Sequence, residues 1–200
     1  MNAENIIATF LQAASLKRLG RTGWDIAGIL IGRQESVAEH SWGTTFLSWL
    51  LCNHIMLEGE NLDSYKILSM ATIHDLAESV TSDIPHSAIQ LGATALKMGK
   101  MKAEENAVTK LLGNLEQIFP IAKEFLKELE EAKTTESRIV LSADILDMLL
   151  HAIGLERNGV DSHLLDSFFD SSMQRIYHYR IPIAINIANL LLDEHKGIGK

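Results

Sequence analysis

Two hundred residues, 46% of them hydrophobic and 22% charged, make a chain of globular composition, long enough for one domain to bury a sizeable core. Lys and Arg total 18 against 26 Asp and Glu, a formal net charge of -8, which argues against a nucleic-acid groove because phosphate backbones bind clustered cations. The single cysteine, Cys52, excludes an internal disulfide framework and suits a reducing compartment.

The N-terminal Met-Asn-Ala-Glu-Asn carries no basic n-region, and no apolar run reaches the ~18 residues of a membrane span. A cytoplasmic chain with no membrane partner is expected. Residues 4–18 follow as a short amphipathic helix with Ile6, Ile7, Phe10, Leu11 and Ala14 on one stripe. Lys17 to Trp24 contain two glycines and read as a loop in which Arg21 and Trp24 flank a turn. The bland reading of that pair is a surface arginine and a half-buried tryptophan. Residues 25–35 look irregular.

Ser36-Val37-Ala38-Glu39 is a capping box that opens a helix to about Met56, with His40 in its first turn. Leu50 and Leu51 beside Cys52 predict a buried structural thiol. Ser64 begins the next helix, which carries His74-Asp75-Leu76-Ala77-Glu78 and ends near Ser79–Ser82 before Pro85. On that helix His74 and Glu78 stand on one face one turn apart, at ~100° per residue. Asp75, with its short side chain, can then converge with His74 on one ion, and Glu78 stands beside the ion without having to ligate it.

From Ser87 to about Lys133, Gly92, Gly99, Gly113 and Pro120 punctuate a helical text of two or three helices. Lys97, Lys100 and Lys102 gather there, and Lys123 to Lys133 reads as a solvent-facing Lys/Glu surface. Thr135 to about Asn158 is a densely apolar helix interrupted by Asp144, a residue rarely buried unless paired. Asp147 is one turn on. Segments 161–176 and 182–195 complete the chain. No period-2 strand pattern is present, so the fold class is all-α, one helical domain over 1–200.

His40, His74, Asp75 and Asp144 form a His, His-Asp, Asp ligand set drawn from three helices. Imidazole and carboxylate ligands suit a first-row divalent ion with open, water-filled positions, and this mixture does not choose among metals. Glu39-His40-Ser41, His74-Asp75-Leu76-Ala77-Glu78 with Asp83-Ile84-Pro85, and Ala143-Asp144-Ile145-Leu146-Asp147 resemble the HD-domain metal-dependent phosphohydrolases. Within them the likeness is to the 5′-deoxynucleotidase branch, whose N-terminal signature Arg21-Thr22-Gly23-Trp24 also resembles. It covers about residues 5–160.

The resemblance implies an all-α fold and one divalent metal ion (Mn, Co, Zn, Mg or Fe) held by His40, His74, Asp75 and Asp144. It implies hydrolysis of a nucleoside 5′-monophosphate to nucleoside and phosphate, and a homodimer. Glu78 and Asp83 fall on the family's two acidic positions near the metal. Arg21 and Trp24 fall where the family contacts the substrate's phosphate and nucleoside. Gly28 to Gln34, His86-Ser87-Ala88 and the chain after about 160 depart from the family pattern. The alternatives are an HD-superfamily hydrolase of a nucleoside triphosphate or cyclic nucleotide, and a non-catalytic metal- or nucleotide-binding module.

Overall fold

The computed structural model describes residues 2–29, 32–84 and 93–197. Among them the regular structure is helical: α1 (Ala3–Ala13), a 3₁₀ turn (Ala14–Lys17), α2 (Thr22–Ile26), α3 (Val37–Leu57), α4 (Ser64–Ile73), α5 (Glu78–Thr81), α6 (Ala93–Leu112), α7 (Phe119–Glu131), α8 (Thr135–Arg157), α9 (Asp166–Tyr179) and α10 (Pro182–His195), with a second 3₁₀ turn at Ser162–Leu164. The one departure among the described residues is an isolated antiparallel bridge between Gly20 and Ser36. Pro85, His86-Ser87-Ala88 and Gly92 lie outside the described residues.

The chain divides into two compact units. The first combines Met1–Ser41 with Thr72–Lys127. Its core gathers Ala77, Ala107, Val108, Leu111, Leu112, Leu115 and Ala122, with Ile73, Leu76, Phe119 and Leu126 against them. Asn2 caps α1 by accepting from the Asn5 amide at 2.8 Å. Thr9 Oγ1 donates to the Leu111 carbonyl at 3.0 Å, and Gln12 Nε2 to that of Ser79 at 3.0 Å. The α1 helix therefore docks through polar residues, and its apolar stripe faces solvent: Ile6, Ile7, Phe10 and Leu11 are all exposed.

The expected capping box is present. Glu39 N–H donates to Ser36 Oγ at 3.2 Å, while Glu39 Oε2 accepts from the Ser36 amide and hydroxyl, both at 2.8 Å. This reciprocal pair satisfies two donors that a helix start leaves without intrahelical partners. It opens α3 at Val37, three residues before His40.

Two sequence expectations need correction. Arg21 to Trp24 is not all loop, because Thr22 opens the five-residue α2. The helix begun at Ser64 does not run through the His-Asp pair: α4 stops at Ile73, and α5 starts only at Glu78. Between them the Leu76 amide bonds to Ile73 O at 3.0 Å, Glu78 to Asp75 O at 3.0 Å and Ser79 to Leu76 O at 3.2 Å. Bonds of i to i−3 wind more tightly than an α-helix. The pair thus sits on a tightened turn, where backbone groups freed from the α ladder re-bond locally.

The second unit combines Trp42–Ala71 with Glu128–Lys200. Thr134 caps α8, accepting from the Ser137 amide at 3.2 Å. Ile139, Val140, Ala143, Ile145, Leu146, Leu149, Ala152 and Ile153 are buried, so α8 is covered on most of its circumference. It packs against α9 and α10. Pro182 begins α10, where its missing N–H costs nothing. The end of α10 is tied down by His195, whose Nε2 lies 2.9 Å from Asp166 Oδ1, whose Nδ1 meets Glu156, and whose ring stacks on Phe169 at 4.0 Å. Cys52 is buried as expected, and burial pushes its thiol pKa up. On α7, Lys123 is exposed as expected while Ala122 and Leu129 are buried.

Candidate metal centre

In the first unit three sequence-predicted ligands come together. His40 Nε2 lies 3.6 Å from Asp75 Oδ2, and His74 Nε2 lies 3.2 Å from the same oxygen. The two imidazoles meet edge-on, with centroids 5.5 Å apart and planes at 68°. One ligand atom from each of His40, His74 and Asp75 lies within 4.8 Å of the others. His40 is fully buried. Two imidazole nitrogens and a carboxylate oxygen converging at this spacing fit a first-row divalent cation, and the group could hold one.

The electrostatics match that use. Burial pushes the Asp75 pKa up, but His74, then His40, then Arg21 outweigh it and hold the carboxyl well below the usual range. Asp75 is thus kept as an anion, the form that ligates. Glu78 moves the other way. Burial raises it, the Asp75 and Asp83 charges raise it further, Lys100 and Arg21 pull back, and the result is about 9. Its Oε2 is buried with no hydrogen-bond partner among the described residues. Two carboxyls three residues apart are therefore pushed to opposite protonation states, a pattern of functional sites.

Asp83 follows α5 and is held by Thr22, whose N–H and Oγ1 both donate to Asp83 Oδ2, at 2.6 and 2.9 Å. Arg21, half-buried, immediately precedes Thr22 and acts electrostatically on both Asp75 and Glu78. Trp24 is not the half-buried residue of the bland reading. It is 1% exposed, and its indole Nε1 donates to Glu35 Oε2 at 3.2 Å. Its ring is therefore core, and the polar group it holds is Glu35.

Asp144 belongs to the second unit. There Arg175 Nη2 lies 3.6 Å from its Oδ2, so the partner its apolar helix demanded includes a guanidinium. Asp147 stands over Gly43: a Cβ there would fall 1.8 Å from Asp147 Oδ1. Sequence reasoning offers Lys100 or Lys102 as added positive charge without choosing between them; in the structure Lys100 is the counter-charge to Glu78. Two residues with no sequence-based role also appear, Glu35 as the acceptor for Trp24 and Thr22 as the donor to Asp83. A hydroxyl directly after the signature arginine was the only signal for the last.

A family model described as "HD domain" matches residues 13–181. The chain belongs to the HD-domain family. It is 30% identical over 203 residues to the 5′-deoxynucleotidase HDDC2 of Dictyostelium discoideum, covering 96% of this chain and 99% of the relative. It is 31% identical over 161 residues to the 5′-deoxynucleotidase hdd1 of Schizosaccharomyces pombe, covering 76% and 73%. Among solved structures it is similar to the PH0347 protein of Pyrococcus horikoshii, with a TM-score of 0.76, 34% identity, and coverage of 92% of this chain and 97% of that one.

Proposed function

We propose that this protein hydrolyses (deoxy)nucleoside 5′-monophosphates to nucleoside and phosphate with the help of one divalent metal ion. It is a phosphohydrolase of the HD-domain class, and relatives that bear the name 5′-deoxynucleotidase support the substrate. The observation that carries the reading is the convergence of His40, His74 and Asp75 beside a buried Glu78 of raised pKa.

In this reading His40, His74 and Asp75 hold the metal, with Asp144 as fourth ligand on the strength of the sequence resemblance. Such an ion polarises a phosphoryl oxygen and makes water a nucleophile at neutral pH. Glu78 orients the attacking water and takes its proton. Its pKa of about 9 already includes the lowering by Lys100 and Arg21, so the charge of a bound cation would have to bring it down further before it takes that proton. Arg21 offers a planar fork of donors to the phosphate oxygens. Asp83 is the second acid, serving the leaving 5′-oxygen or the sugar. Trp24 contributes on the nucleoside side by holding Glu35 rather than by stacking, because its ring is buried.

The chain works as one HD domain over 1–200, in the cytoplasm and as a homodimer. No helix among the described residues is long and apolar enough to cross a membrane. The exposed, stacked ladder Trp42, Phe46 and Trp49 on α3, with centroids 5.6 and 6.0 Å apart, supports self-association.

The test is phosphate release by metal-stripped protein resupplied with one divalent ion at a time. Deoxy- and ribonucleoside 5′-monophosphates are the substrates, with a 3′-monophosphate and a triphosphate as controls. Metal-dependent release from the 5′-monophosphates alone is expected. Equal release from the triphosphate, or silence with every ion, refutes the assignment.

A further inference from the structure

We propose that Thr22 is a positioning residue: with Asp83 it forms a latch that fixes the direction in which Arg21 leaves the backbone. The inference rests on the phosphate role given to Arg21 above.

The argument begins with the peptide groups on either side of Arg21. The Arg21 amide donates to the Glu35 carbonyl at 2.9 Å. The next amide, that of Thr22, donates to Asp83 Oδ2 at 2.6 Å. With both amides held, neither φ nor ψ of Arg21 can turn without breaking a hydrogen bond, and they rest in the extended region at -73° and 107°. A side chain's starting direction follows from those two angles. The two anchors come from different places. Glu35 directly precedes the capping box that opens the helix of His40, and the neighbouring Gly20–Ser36 bridge braces that side. Asp83 lies two residues beyond the end of the short helix that begins with Glu78.

Thr22 joins these sides with its side chain as well. Its Oγ1 donates to Asp83 Oδ2 at 2.9 Å and lies 3.3 Å from the Asp83 carbonyl. One carboxylate oxygen thus receives two donors from one residue, and hydrogen bonds to a charged acceptor are about twice as strong as neutral ones. The chain also accepts strain to bring Asp83 there. Ser82 has φ 65° and ψ 166°, a region that only glycine occupies freely. Such a conformation persists where surrounding contacts over-determine it, and the latch on the next residue is such a contact.

The latch fixes the backbone from which the Arg21 side chain departs, so that binding an anion need not order this segment first. Thr22→Val removes the hydroxyl bond and keeps the shape, while Thr22→Ser keeps the bond. On metal-loaded protein, Thr22→Val is expected to raise KM for a deoxynucleoside 5′-monophosphate and Ki for inorganic phosphate together, by about tenfold. Its kcat should change by less than about threefold and its metal content not at all, and Thr22→Ser should stay within about twofold of wild type. A residue that merely supports the fold would lower the melting temperature and the active fraction with KM and Ki unmoved, and that result overturns the inference.

A readout without turnover separates this inference from the assigned activity. The Thr22 amide is expected to be protected from hydrogen exchange in the wild type and to exchange at least about tenfold faster in Asp83→Ala. Unchanged protection refutes the latch even if the enzyme is active. Wild-type protein that shows the protection effect yet releases no phosphate from any 5′-monophosphate refutes the substrate reading, and with it the purpose given to the latch.

Discussion

Replacing Glu78 by Gln preserves the side chain's shape and removes its titration. In the folded protein the residue is 7% exposed, and burial with the Asp75 and Asp83 charges raises its pKa from 4.5 to about 9. The unfolded chain restores the ordinary value. Between those values the folded state keeps a proton that the unfolded state releases, so the stability contributed at this position falls as pH rises from about 4.5 to about 9. At pH 7.5 the group lies three pH units into that window. At about 1.4 kcal/mol per unit, the ceiling on the cost of burying this acid is ~4 kcal/mol, before relaxation and water entry reduce it. Gln carries no such cost. For a chain of this size ~1 kcal/mol moves the melting temperature by about 2–4 °C. Metal-stripped Glu78→Gln protein should therefore melt several degrees above metal-stripped wild type at pH 7.5–8, and nearly level with it at pH 5. Differential scanning calorimetry across that range reads the gap directly. A gap that is constant with pH, or a variant that melts lower at pH 8, refutes the account of Glu78 as a carboxyl burdened by burial and neighbouring charge.

Two further outcomes follow from the geometry. Asp75→Ala removes the oxygen that both His40 and His74 approach, and should lose bound metal and phosphate release together, whereas Glu78→Ala should keep its metal and lose at least ~100-fold in turnover. Metal analysis beside steady-state kinetics distinguishes the two, and full turnover in Glu78→Ala would sink its assignment as the acid that takes water's proton. In the second unit, Gly43→Ala would drive a methyl into the Asp147 carboxylate, 1.8 Å from Oδ1, and should cost ~1–3 kcal/mol in a denaturant titration. A neutral effect would mean that Asp147 moves aside freely.

Much of the site was legible in the residues themselves because local chemistry decides it. Ser36 and Glu39 are three apart, which suffices for a capping box, and His40 follows one residue on. Adjacent His74 and Asp75 in an apolar run demanded partners, and Asp144 in a densely apolar helix demanded one too. The absence of period-2 alternation was enough to predict an all-helical fold, since hydrophobic periodicity records which faces are buried. The motif segments then resembled the family to which the chain belongs.

What remained hidden depends on contacts between residues far apart in the chain. The break between Ile73 and Glu78 has no proline or glycine to announce it, and the i to i−3 bonds that tighten the turn there are visible only in the structure. The outward-facing stripe of α1 carries a regular helical pattern, yet periodicity reports only that one face is apolar, and Thr9 and Gln12 decide which face docks. Trp24 looked available to a ligand until burial and its bond to Glu35 made it core. Likewise the opposite pKa shifts of Asp75 and Glu78 arise from different neighbours, His74 and His40 beside Asp75 but Asp75 and Asp83 beside Glu78, while Arg21, 54 residues before Asp75 in the numbering, lowers both. The residue types and their local spacing were determined by the sequence alone; which charges stand beside which was decided by the tertiary structure, because electrostatic energy depends on distance through space and on burial.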